Sequence, residues 1–539
     1  MKQETVYIEN KPYWPHLRSS GERLGALDNS RLAELGYKSE FRRQFSLLDT
    51  VSFSFSIMAV ISGISSTLSL TLASGGHVGL VWGWIIPIPF VLCVAAVMAE
   101  MASSMPTNAG PYYYAAKLAP KHYAPLAAWI TGGANITGHV TLLTYIDFAL
   151  AQMITTAIAV GTDEKVVLGP GPTYGIFLAM LFLHGVICSA PTRTLARLSL
   201  FGAIVTFGAT VAAIILLPVC AGESRVSTKV AFTSYENFTG WSNSGWAFLL
   251  AFTGPMWQLT GYDSAAHMSE ETLGAAKAAP MAMLLSVASV GCLGWVFSIA
   301  TSFAIASVPD LLSSPLPLPM GQLYLDLLGK KGMLAIWCIT ITVQFMRGAA
   351  QGVNASRVVF AFARDNALPG SRWWKQMNHH TQTPVCAVWL VVFVAGICGF
   401  LGFSSIAMTS AACATVIGLY TSYAIPILLR ITSGRNKLVP GPFSLGRWST
   451  PIGSIAVAWS AFIVVLLCFP RTQSPVATNM NYAVVLTVGI SAFAYCSWVL
   501  SARHWFTGPL RNIGEGGAVA ALKGYDEEVR DQTICEMFS

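Results

Sequence analysis

A polar stretch from Gly254 to Thr272, GPMWQLTGYDSAAHMSEET, interrupts two apolar runs of the chain. It contains three acids, Asp263, Glu270 and Glu271, whose carboxyl groups can bind a cation, exchange a proton or pair with a base. Ionisable groups are costly inside a membrane, and their presence there points to a function. We therefore expect Asp263 to bind an amine, carry a proton or act in gating, with a purely structural role as the alternative.

Two further charged residues, Asp147 and Arg347, lie inside apolar runs, and we expect both to act in coupling or gating. They can form an ion pair with each other or with Asp263. An unpaired Arg347 can instead bind a ligand carboxylate or repel a choline-like cation. His139 and His184 are candidates for proton relay because the reference pKa of histidine is near physiological pH; structural hydrogen bonding is the alternative.

The end of the polar stretch and a later basic segment form a candidate ion-pair cluster. Glu270 and Glu271 can pair with Arg357 or Arg364 of SRVVFAFARD and close a gate, and a solvated loop end is the alternative. Three amides in the same run as Arg347 fall on one helical face and can line a path. These amides are Gln344, Gln351 and Asn354.

The composition is that of an integral membrane protein. Of 539 residues, 54% are hydrophobic and 11% are charged, whereas soluble proteins have about 25% charged residues. The net charge of +7 comes from residues dispersed in short loops, so nucleic-acid binding is not predicted. The 11 cysteines are scattered without a CxxC pair, and we interpret them as buried apolar residues. No cofactor or metal site is predicted, and the polar N-terminus does not resemble a signal peptide.

Twelve apolar runs approach the roughly 20 residues that a membrane-spanning helix needs. They are approximately Val51–Leu72, Val78–Met101, Ala124–Val160, Tyr174–Ala190, Leu195–Ala221, Trp246–His267, Met281–Ser307, Met333–Phe360, Val385–Leu401, Ser405–Leu429, Ile452–Phe469 and Tyr482–Leu500. An even number of spans leaves both tails on one side, and the excess of Lys and Arg in the loops of that side predicts that both are cytoplasmic. We therefore divide the chain into a cytoplasmic N-terminal tail (1–46), a twelve-helix membrane domain (47–505) and a cytoplasmic C-terminal tail (506–539).

Two triplets match the pattern for N-glycosylation. Asn237, in NFT, falls on a predicted outer loop, where a glycan can be attached. Asn135, in NIT, falls inside a span, and we do not expect it to be modified.

The first and sixth spans contain residues that interrupt helices. The first includes ISGISS (Ile61–Ser66), and the sixth includes Gly254–Pro255 and Gly261. A helix is broken in hydrocarbon only where protein or a water-filled cavity covers the freed backbone groups. Breaks in spans one and six fit a five-plus-five inverted repeat whose half-helix ends face a small zwitterion or amine. Close packing of small residues against other helices is the alternative.

Four segments resemble fungal members of the amino acid–polyamine–organocation (APC) superfamily, in the amino acid/choline branch with the GABA and choline permeases. They are RRQFSLLDTVSFSFSIM, MPTNAGPYYYAAKLAPKHYAPLAAWITG, GYDSAAHMSEET and SRVVFAFARDNALPGSRWW, and the resemblance covers about Phe41 to Trp505. It implies an all-α integral membrane fold of twelve transmembrane helices, with a LeuT-like five-plus-five inverted repeat plus two and with helices one and six broken. It also implies transport, usually uptake coupled to protons.

The resemblance further implies substrate-binding residues at the two breaks, in segments that match the family's unwound helices. The matched residues are Ser62, Gly63, Ile64 and Ser65 in the first span and Gln258, Leu259, Thr260 and Gly261 in the sixth. Trp257 falls where related transporters place an aromatic gate, and such a ring can cover an ammonium group. Packing in the core is the alternative for Trp257.

We therefore predict a secondary active permease, at the fungal plasma membrane, for amino acids or related small amines such as GABA or choline. Its partners are the substrate, protons and the lipid bilayer, and its mechanism is alternating access. An exporter or importer of a specialised amine or alkaloid is an alternative, as is a transporter-like nutrient sensor. Enzymatic activity is not predicted, because the chain has no phosphate-binding loop and neither an HExxH nor a GxSxG motif.

Overall fold

The computed structural model describes residues 20–476 and 480–510, and the outer parts of both predicted tails, 1–19 and 511–539, lie outside this range. The described residues are helical apart from connecting segments and an isolated β-bridge between Phe45 and Thr272. Hydrophobic side chains from most helices merge into one large buried core. The predicted all-α class is therefore confirmed for this part of the chain.

Twenty α-helices follow one another along the described residues, and several of them are short connecting helices. They are α1 (Ser20–Glu34), α2 (Leu47–Ile57), α3 (Val60–Ile85), α4 (Pro87–Ser104), α5 (Pro111–Leu118), α6 (Ala124–Gly161), α7 (Pro170–Cys188), α8 (Thr192–Ala221), α9 (Thr228–Thr233), α10 (Ser244–Leu250), α11 (Thr253–Gln258), α12 (Ser264–His267), α13 (Ala275–Ala304), α14 (Val308–Leu312), α15 (Pro319–Arg364), α16 (Ser371–Trp374), α17 (Val385–Cys398), α18 (Ser405–Ile431), α19 (Ser449–Cys468) and α20 (Ala483–Leu500). Short 3-10 turns lie at Gly222–Ser224, Gly399–Phe403, Gly446–Trp448 and Ala502–His504.

Ten helical stretches in the described part of the chain are long and apolar enough to cross a membrane. The longest, Leu47–Ser104, has 58 residues and includes α2, α3 and α4. Its helix α3 continues through the gap that we predicted between spans one and two, and Gly76, with φ of 54°, bends it there. The predicted sixth span is absent from the ten because its pieces α10, α11 and α12 are each too short.

The first span is broken between α2 and α3, at Met58 and Ala59. Ala59 has φ of −22° and ψ of 107°, which lies outside the helical region. The prediction that Ser62–Ser65 are unwound is therefore wrong, since these residues lie in the first turns of α3. The hydroxyl of Ser65 donates to the carbonyl of Ile61 at 2.6 Å, one turn earlier, and a serine bonded in this way is compatible with a continuing helix.

The sixth span is broken between α11 and α12, over Leu259–Asp263. Gly261 lies in this segment with φ of 90°, a conformation that residues with a side chain rarely adopt. A Cβ at Gly261 would also lie 2.8 Å from Cγ2 of Ile57, so the close approach of the two broken spans requires glycine. Pro255 lies inside α11, and its missing N–H accounts for the turn at 251–252 that separates α10 from α11.

Gln258, the last residue of α11, joins the two breaks. Its Nε2 donates to the carbonyl of Ala59 at 2.7 Å and also to that of Met58. A helix leaves its last carbonyls without intrahelical partners, so the amide of Gln258 replaces hydrogen bonds that the break removes. Gly63 provides the space for this side chain, because a Cβ at Gly63 would collide with it.

Three long helices surround the two breaks. Helix α6 packs against α15 and α18, and α15 also contacts α2 and α3. This packing brings polar residues from distant parts of the sequence to the same place, which is the basis of the candidate site.

The loop with the predicted glycosylation site has a local turn. Oδ1 of Asn237 accepts from the backbone N–H of Thr239 at 2.9 Å, and its Nδ2 donates to the carbonyl of Trp241 at 2.8 Å. Modification of Asn237 therefore stays a prediction. Asn135, which we did not expect to be modified, is fully buried in α6.

We expect Gly63→Ala to lower the thermal unfolding temperature of the detergent-purified protein. The added methyl group has to displace Gln258, and overpacking of this kind costs about 1–3 kcal/mol. Gly208→Ala on α8 is the matched control, because nothing lies within 4 Å of a Cβ at that position. Alanine is favoured over glycine in a helix by roughly 1 kcal/mol, so the control should unfold at the same or a higher temperature. Equal destabilisation by both substitutions would contradict the assigned contact.

Candidate functional site

Asp263, at the end of the broken segment of the sixth span, is fully buried among four polar side chains. Its Oδ1 accepts from the hydroxyl of Tyr423 at 2.7 Å. Its Oδ2 accepts from Nδ2 of Asn135 at 3.1 Å and lies 3.0 Å from Nε2 of His139 and 3.3 Å from Nε2 of His267. Protein groups thus occupy both oxygens, so the geometry favours proton exchange or gating over contact with a substrate amine.

The protonation of His139 follows from its other neighbours. Its Nδ1 lies 3.1 Å from Nδ2 of Asn354 and 3.3 Å from Nε2 of Gln351. Nε2 of Gln351 also donates to the backbone carbonyl of His139 at 2.9 Å, and this contact determines the orientation of the Gln351 amide. Because Nδ1 faces donors, it accepts, and Nε2 carries the proton that His139 donates to Asp263. A protonated nitrogen cannot bind a metal ion, so the cluster does not fit a metal centre.

His267, which the sequence analysis did not single out, connects Asp263 to the loop after α4. Its Nδ1 lies 2.8 Å from the carbonyl oxygen of Asn108. Gly110, with φ of 53°, lies against the ring, and a Cβ there would be 2.8 Å from Cε1 of His267. The ring is thus held in one orientation. A spacing of four residues from Asp263, which places both on one helical face, is the signal that could have identified it.

Arg347, on α15, lies where α2 ends and forms no ion pair with a described residue. Its Nε donates to the carbonyl of Ile57 at 2.7 Å, and its guanidinium carbon lies 6.0 Å from the centre of the Trp257 ring. Its Nη1 is buried and has no hydrogen-bond partner within residues 20–476 and 480–510. The predicted pairing with Asp147 or Asp263 does not occur, and the guanidinium can instead bind an anion.

Asp147 pairs with His184. Nδ1 of His184 lies 3.0 Å from Oδ2 of Asp147, and its Nε2 lies 3.0 Å from the carbonyl oxygen of Phe345. Both side chains are buried between α6, α7 and α15. Asp147 thus forms an ion pair with His184 and not with Arg347 in the described residues, and a role of Asp147 in coupling stays a prediction.

Trp257, on α11, is buried between Arg347 and Tyr145. The ring centres of Trp257 and Tyr145 are 4.4 Å apart, and the planes meet at 62°. Tyr145 in turn lines a cavity of about 470 Å³ whose wall also includes Ser66 and Gln152. The remaining wall comes from further residues of α3 and α6, from the starts of α7 and α18, and from the connecting segments that lie on the outer side in the predicted topology. Trp257 thus lies between Tyr145, which lines the outer cavity, and Arg347, which donates a hydrogen bond to the end of α2.

Several polar atoms beside the breaks have no hydrogen-bond partner in the described residues. These atoms are Oγ of Ser62, Oε1 of Gln258, Nε1 of Trp257 and Nη1 of Arg347. Helix α3 begins at Val60 without a side-chain cap, and the N–H groups of its first turn have no partner within the helix. Unpaired polar groups are costly in an apolar interior, and a small polar ligand can satisfy them.

The other predicted substrate-binding residues have different surroundings. Ser65 and Thr260 donate their hydroxyl groups to backbone carbonyls of their own segments. The side chains of Ile64 and Leu259 are packed in the apolar core. These four side chains therefore offer a ligand few polar contacts, whereas the backbone of the broken segment around Gly261 can still provide them.

Two buried ion pairs lie at the end of the site that faces the cytoplasm in the predicted topology. Nη1 and Nη2 of Arg364 donate to the two carboxylate oxygens of Glu270 at 2.8 and 2.9 Å. Nε of Arg357 donates to Oε1 of Glu271 at 2.7 Å. The most exposed of the four, Arg364, is 7% exposed. The two acids are thus paired with the bases of SRVVFAFARD rather than solvated, and their role as a gate stays a prediction.

The N-terminal segment before α2 covers these ion pairs. This packing was not predicted from the sequence. Nη1 of Arg43 donates to the carbonyls of Ser269 and Thr272, both at 2.9 Å. The backbone N–H of Phe45 donates to the carbonyl of Glu271 at 2.9 Å. The described part of the predicted N-terminal tail is therefore packed against the site.

Asp365, just beyond the end of α15, ties three further segments to this closure. Its Oδ2 accepts from the hydroxyls of Tyr37 and Tyr112, both at 2.9 Å, and its Oδ1 accepts from the N–H of Leu510 at 3.1 Å. Burial raises the pKa of the Asp365 carboxyl to about 6, although the charge of Arg364 opposes this shift. The N-terminal segment, α5 and the C-terminal segment thus meet at one carboxylate.

Comparisons with known proteins identify the family. A family model described as amino acid permease matches residues 45–490. The amino-acid permease BAT1 of Arabidopsis thaliana is 36% identical over 503 residues, which cover 90% of this chain and 96% of that protein. An uncharacterized amino-acid permease of Schizosaccharomyces pombe is 35% identical (90% of each chain), and the GABA-specific permease of Saccharomyces cerevisiae is 33% identical (92% of this chain and 88% of that protein). The chain therefore belongs to the amino acid permease family of the APC superfamily and is a multi-pass membrane protein, as the four resembling segments predicted.

Proposed function

We propose that this protein is a proton-driven permease that carries small amino acids, including GABA, by alternating access. Arg347 is the observation that carries the proposal, because its buried guanidinium has a free N–H beside the two helix breaks. A substrate carboxylate supplies the missing partner through a charge-assisted hydrogen bond. Choline has no carboxylate, and its positive charge would meet a buried cation, so choline should be excluded. The relatives named as amino-acid and GABA permeases support the same substrate class.

The substrate lies between the start of α3 and the ring of Trp257. Its carboxylate faces Arg347 and the free N–H groups at the start of α3, where the helix dipole also favours negative charge. Its ammonium group faces carbonyls of the broken segment Leu259–Asp263 and the indole of Trp257. The free Oγ of Ser62 adds a neutral hydrogen bond.

The family resemblance and the helix lengths support twelve spans. The 58-residue stretch Leu47–Ser104 measures about 87 Å as a helix, which is long enough to cross a hydrocarbon core of about 30 Å twice. The pieces α10, α11 and α12 form one broken span. With the nine other stretches the total is twelve, and the two breaks take corresponding places in a five-plus-five inverted repeat.

The closed cytoplasmic end and the outer cavity correspond to one state of an alternating-access cycle. In this state the cavity leads to Tyr145 and Trp257, while the pairs Glu270–Arg364 and Glu271–Arg357 block the way to the cytoplasm. Opening to the cytoplasm requires both ion pairs to separate. Both tails are on that side in the predicted topology.

The first transport prediction concerns Arg347→Gln. The assay measures uptake by transport-deficient fungal cells at two external pH values, with labelled GABA, neutral and basic amino acids, a polyamine and choline. We expect wild type to accumulate one or more of the amino acids, more strongly at acidic pH, and not to accumulate choline. Loss of a charged hydrogen bond costs about 1.5–3 kcal/mol, so the KM for that amino acid should rise about tenfold or more.

The matched control is Arg225→Gln, because Arg225 is exposed at the end of α8 and far from the breaks in the sequence. A decarboxylated analogue, butylamine for GABA, should not compete for uptake by wild type. An unchanged KM in Arg347→Gln, or accumulation of choline by wild type, would contradict the proposed carboxylate site.

The second prediction concerns the aromatic gate. We expect Trp257→Ala to reduce accumulation of the labelled amino acid about tenfold, because stacking and cation–π contacts are worth about 1–2 kcal/mol. Trp257→Phe keeps an aromatic ring and should stay within about threefold of wild type. Trp373→Ala, at a half-exposed residue, controls for general effects of losing a tryptophan. Wild-type accumulation by surface-localised Trp257→Ala would exclude a gating role.

The third prediction concerns the cytoplasmic ion pair Glu270–Arg364. We expect Glu270→Gln and Arg364→Gln each to lower thermal stability strongly, because breaking a buried pair costs about 3–5 kcal/mol. The double variant should lose less than the sum of the two single variants, since neither charge is left unpaired. Lys330→Gln breaks the exposed pair with Asp163 and should change little. Additive losses would show that the two charges act independently.

A further inference from the structure

We propose that Asp263 and His267 together bind the coupling proton, an assignment that rests on the proposed proton-driven transport. The assignment follows from the hydrogen-bond donors and acceptors around the two side chains. Both are fully buried, so bulk solvent does not reach either side chain.

The first step concerns Nδ1 of His267. This nitrogen lies 2.8 Å from the backbone carbonyl oxygen of Asn108, and a carbonyl oxygen can only accept a hydrogen bond. Nδ1 therefore carries a proton. In a neutral imidazole the other nitrogen, Nε2, is then an acceptor with a lone pair.

The second step concerns the contact between Nε2 of His267 and Oδ2 of Asp263, which are 3.3 Å apart. An ionised carboxylate oxygen is also an acceptor. With a neutral histidine and an ionised aspartate, two lone pairs would face each other at a site that bulk solvent does not reach. One additional proton, on either the imidazole or the carboxyl group, turns this repulsion into a hydrogen bond. The pair therefore holds one proton and has no net charge, which is the form that burial favours.

The third step excludes the other neighbours of Asp263 as sources of that proton. His139 already donates through Nε2, because its Nδ1 accepts from amides. Asn135 donates through Nδ2, which also donates to the hydroxyl oxygen of Ser422. The hydroxyl of Tyr423 faces the opposite oxygen, Oδ1. The proton between Asp263 and His267 is thus additional to all these hydrogen bonds.

The remaining titratable groups around the pair come from other elements. Tyr114 of α5 is a buried phenol close to Asp263, and a tyrosine hydroxyl stays protonated at physiological pH. Glu270 lies beyond Asn108, where it is neutralised by Arg364. Neither group can therefore provide the Asp263–His267 pair with its proton.

The same loop links the proton to the cytoplasmic closure. The backbone N–H of Asn108 donates to Oε1 of Glu270 at 3.0 Å, and the Asn108 side chain accepts from the N–H of Glu270 at 2.8 Å. The hydroxyl of Thr107 also donates to Glu270 at 3.0 Å. A proton that keeps His267 bound to both Asp263 and Asn108 therefore stabilises the closed cytoplasmic end. Its release leaves a buried carboxylate facing a lone pair, which drives the broken helix and the loop apart and favours opening.

A second pair, His184 with Asp147, has the same arrangement of donors and acceptors. Nε2 of His184 faces the carbonyl of Phe345, and its Nδ1 faces the carboxylate of Asp147. It too holds one additional proton. Its contacts lie within regular helical parts of α6, α7 and α15, away from the broken segment of the sixth span. We therefore assign coupling to Asp263–His267, and the second pair provides the rival location in the test.

The test uses purified full-length protein in proteoliposomes with labelled GABA, alanine and arginine in parallel. One assay measures accumulation driven by a pH gradient, and the other measures exchange at equal pH on both sides. His267→Gln offers Asp263 an amide donor that does not titrate, and Asp263→Asn removes the charge. For both variants we expect exchange within about threefold of wild type and an accumulation ratio near one, because proton and substrate binding are no longer linked.

Two further variants provide comparisons. His77→Gln is the matched control, since Nδ1 of buried His77 faces the hydroxyl of Ser302 rather than a carboxylate, and it should accumulate substrate as wild type does. His184→Gln tests the rival pair and should keep coupled accumulation. A substrate-induced thermal shift, measured at acidic and alkaline pH, should depend on pH in wild type and not in His267→Gln.

The outcomes separate this assignment from the proposed function. Exchange by wild type without accumulation would contradict proton coupling as a whole, and the absence of both would contradict amino acid transport. Coupled accumulation by His267→Gln or Asp263→Asn would overturn the assignment, as would loss of coupling in His184→Gln alone. Thermal unfolding tests whether His267→Gln and Asp263→Asn are folded. If both are folded and neither variant exchanges substrate or shows a substrate-induced thermal shift, the pair serves binding rather than coupling, and the proposal fails.

Discussion

Backbone hydrogen bonding at the two helix breaks is the constraint on which the rest of the structure depends. In a membrane interior an unpaired N–H or C=O group costs several kcal/mol, so the ends of α2 and α11 need partners from elsewhere in the protein. Gln258 provides donors to the carbonyls of Met58 and Ala59, and Arg347 provides one to Ile57. The side chains that make the breaks possible therefore also bring α11 and α15 to the start of α3.

The same constraint explains why the charges are distributed as they are. Asp263, Glu270 and Glu271 are each neutralised or hydrogen-bonded within the protein, as burial requires. Arg347 differs, because it forms no ion pair with a described acid and its Nη1 stays unpaired in the described residues. A cation left without a counter-ion at the centre of a permease fits a substrate that carries the missing anion. In the proposed function, substrate selection and the broken helix are connected through this one side chain.

The two buried ion pairs, which we propose to close the cytoplasmic side, depend on contacts among segments that are far apart in the sequence. The loop after α4 holds Glu270, the N-terminal segment lies over Glu271, and Asp365 joins both tails to α5. Because His267 reaches the same loop through Asn108, the buried carboxylate at the break and the ion pairs at the exit belong to one hydrogen-bonded network. In the proposed mechanism, a change in the charge at Asp263 reaches these ion pairs through His267, Asn108 and Glu270.

The sequence by itself determined the membrane class, the helical character, the family and the two spans that are broken, because these depend on local properties: apolar length, glycine and proline at mid-span, and short motifs. It also identified Glu270, Glu271, Arg357 and Arg364 as candidates for ion pairs, because of their opposite charges. Only the tertiary structure decided that the first break lies at Met58–Ala59 rather than in Ser62–Ser65, since the position depends on where Gln258 reaches the chain. The same holds for His184 as the partner of Asp147 and for the unpaired state of Arg347. Partners of buried polar groups are chosen by helix packing, which joins α6, α7, α15 and α18 across large sequence distances, and no local pattern contains that information.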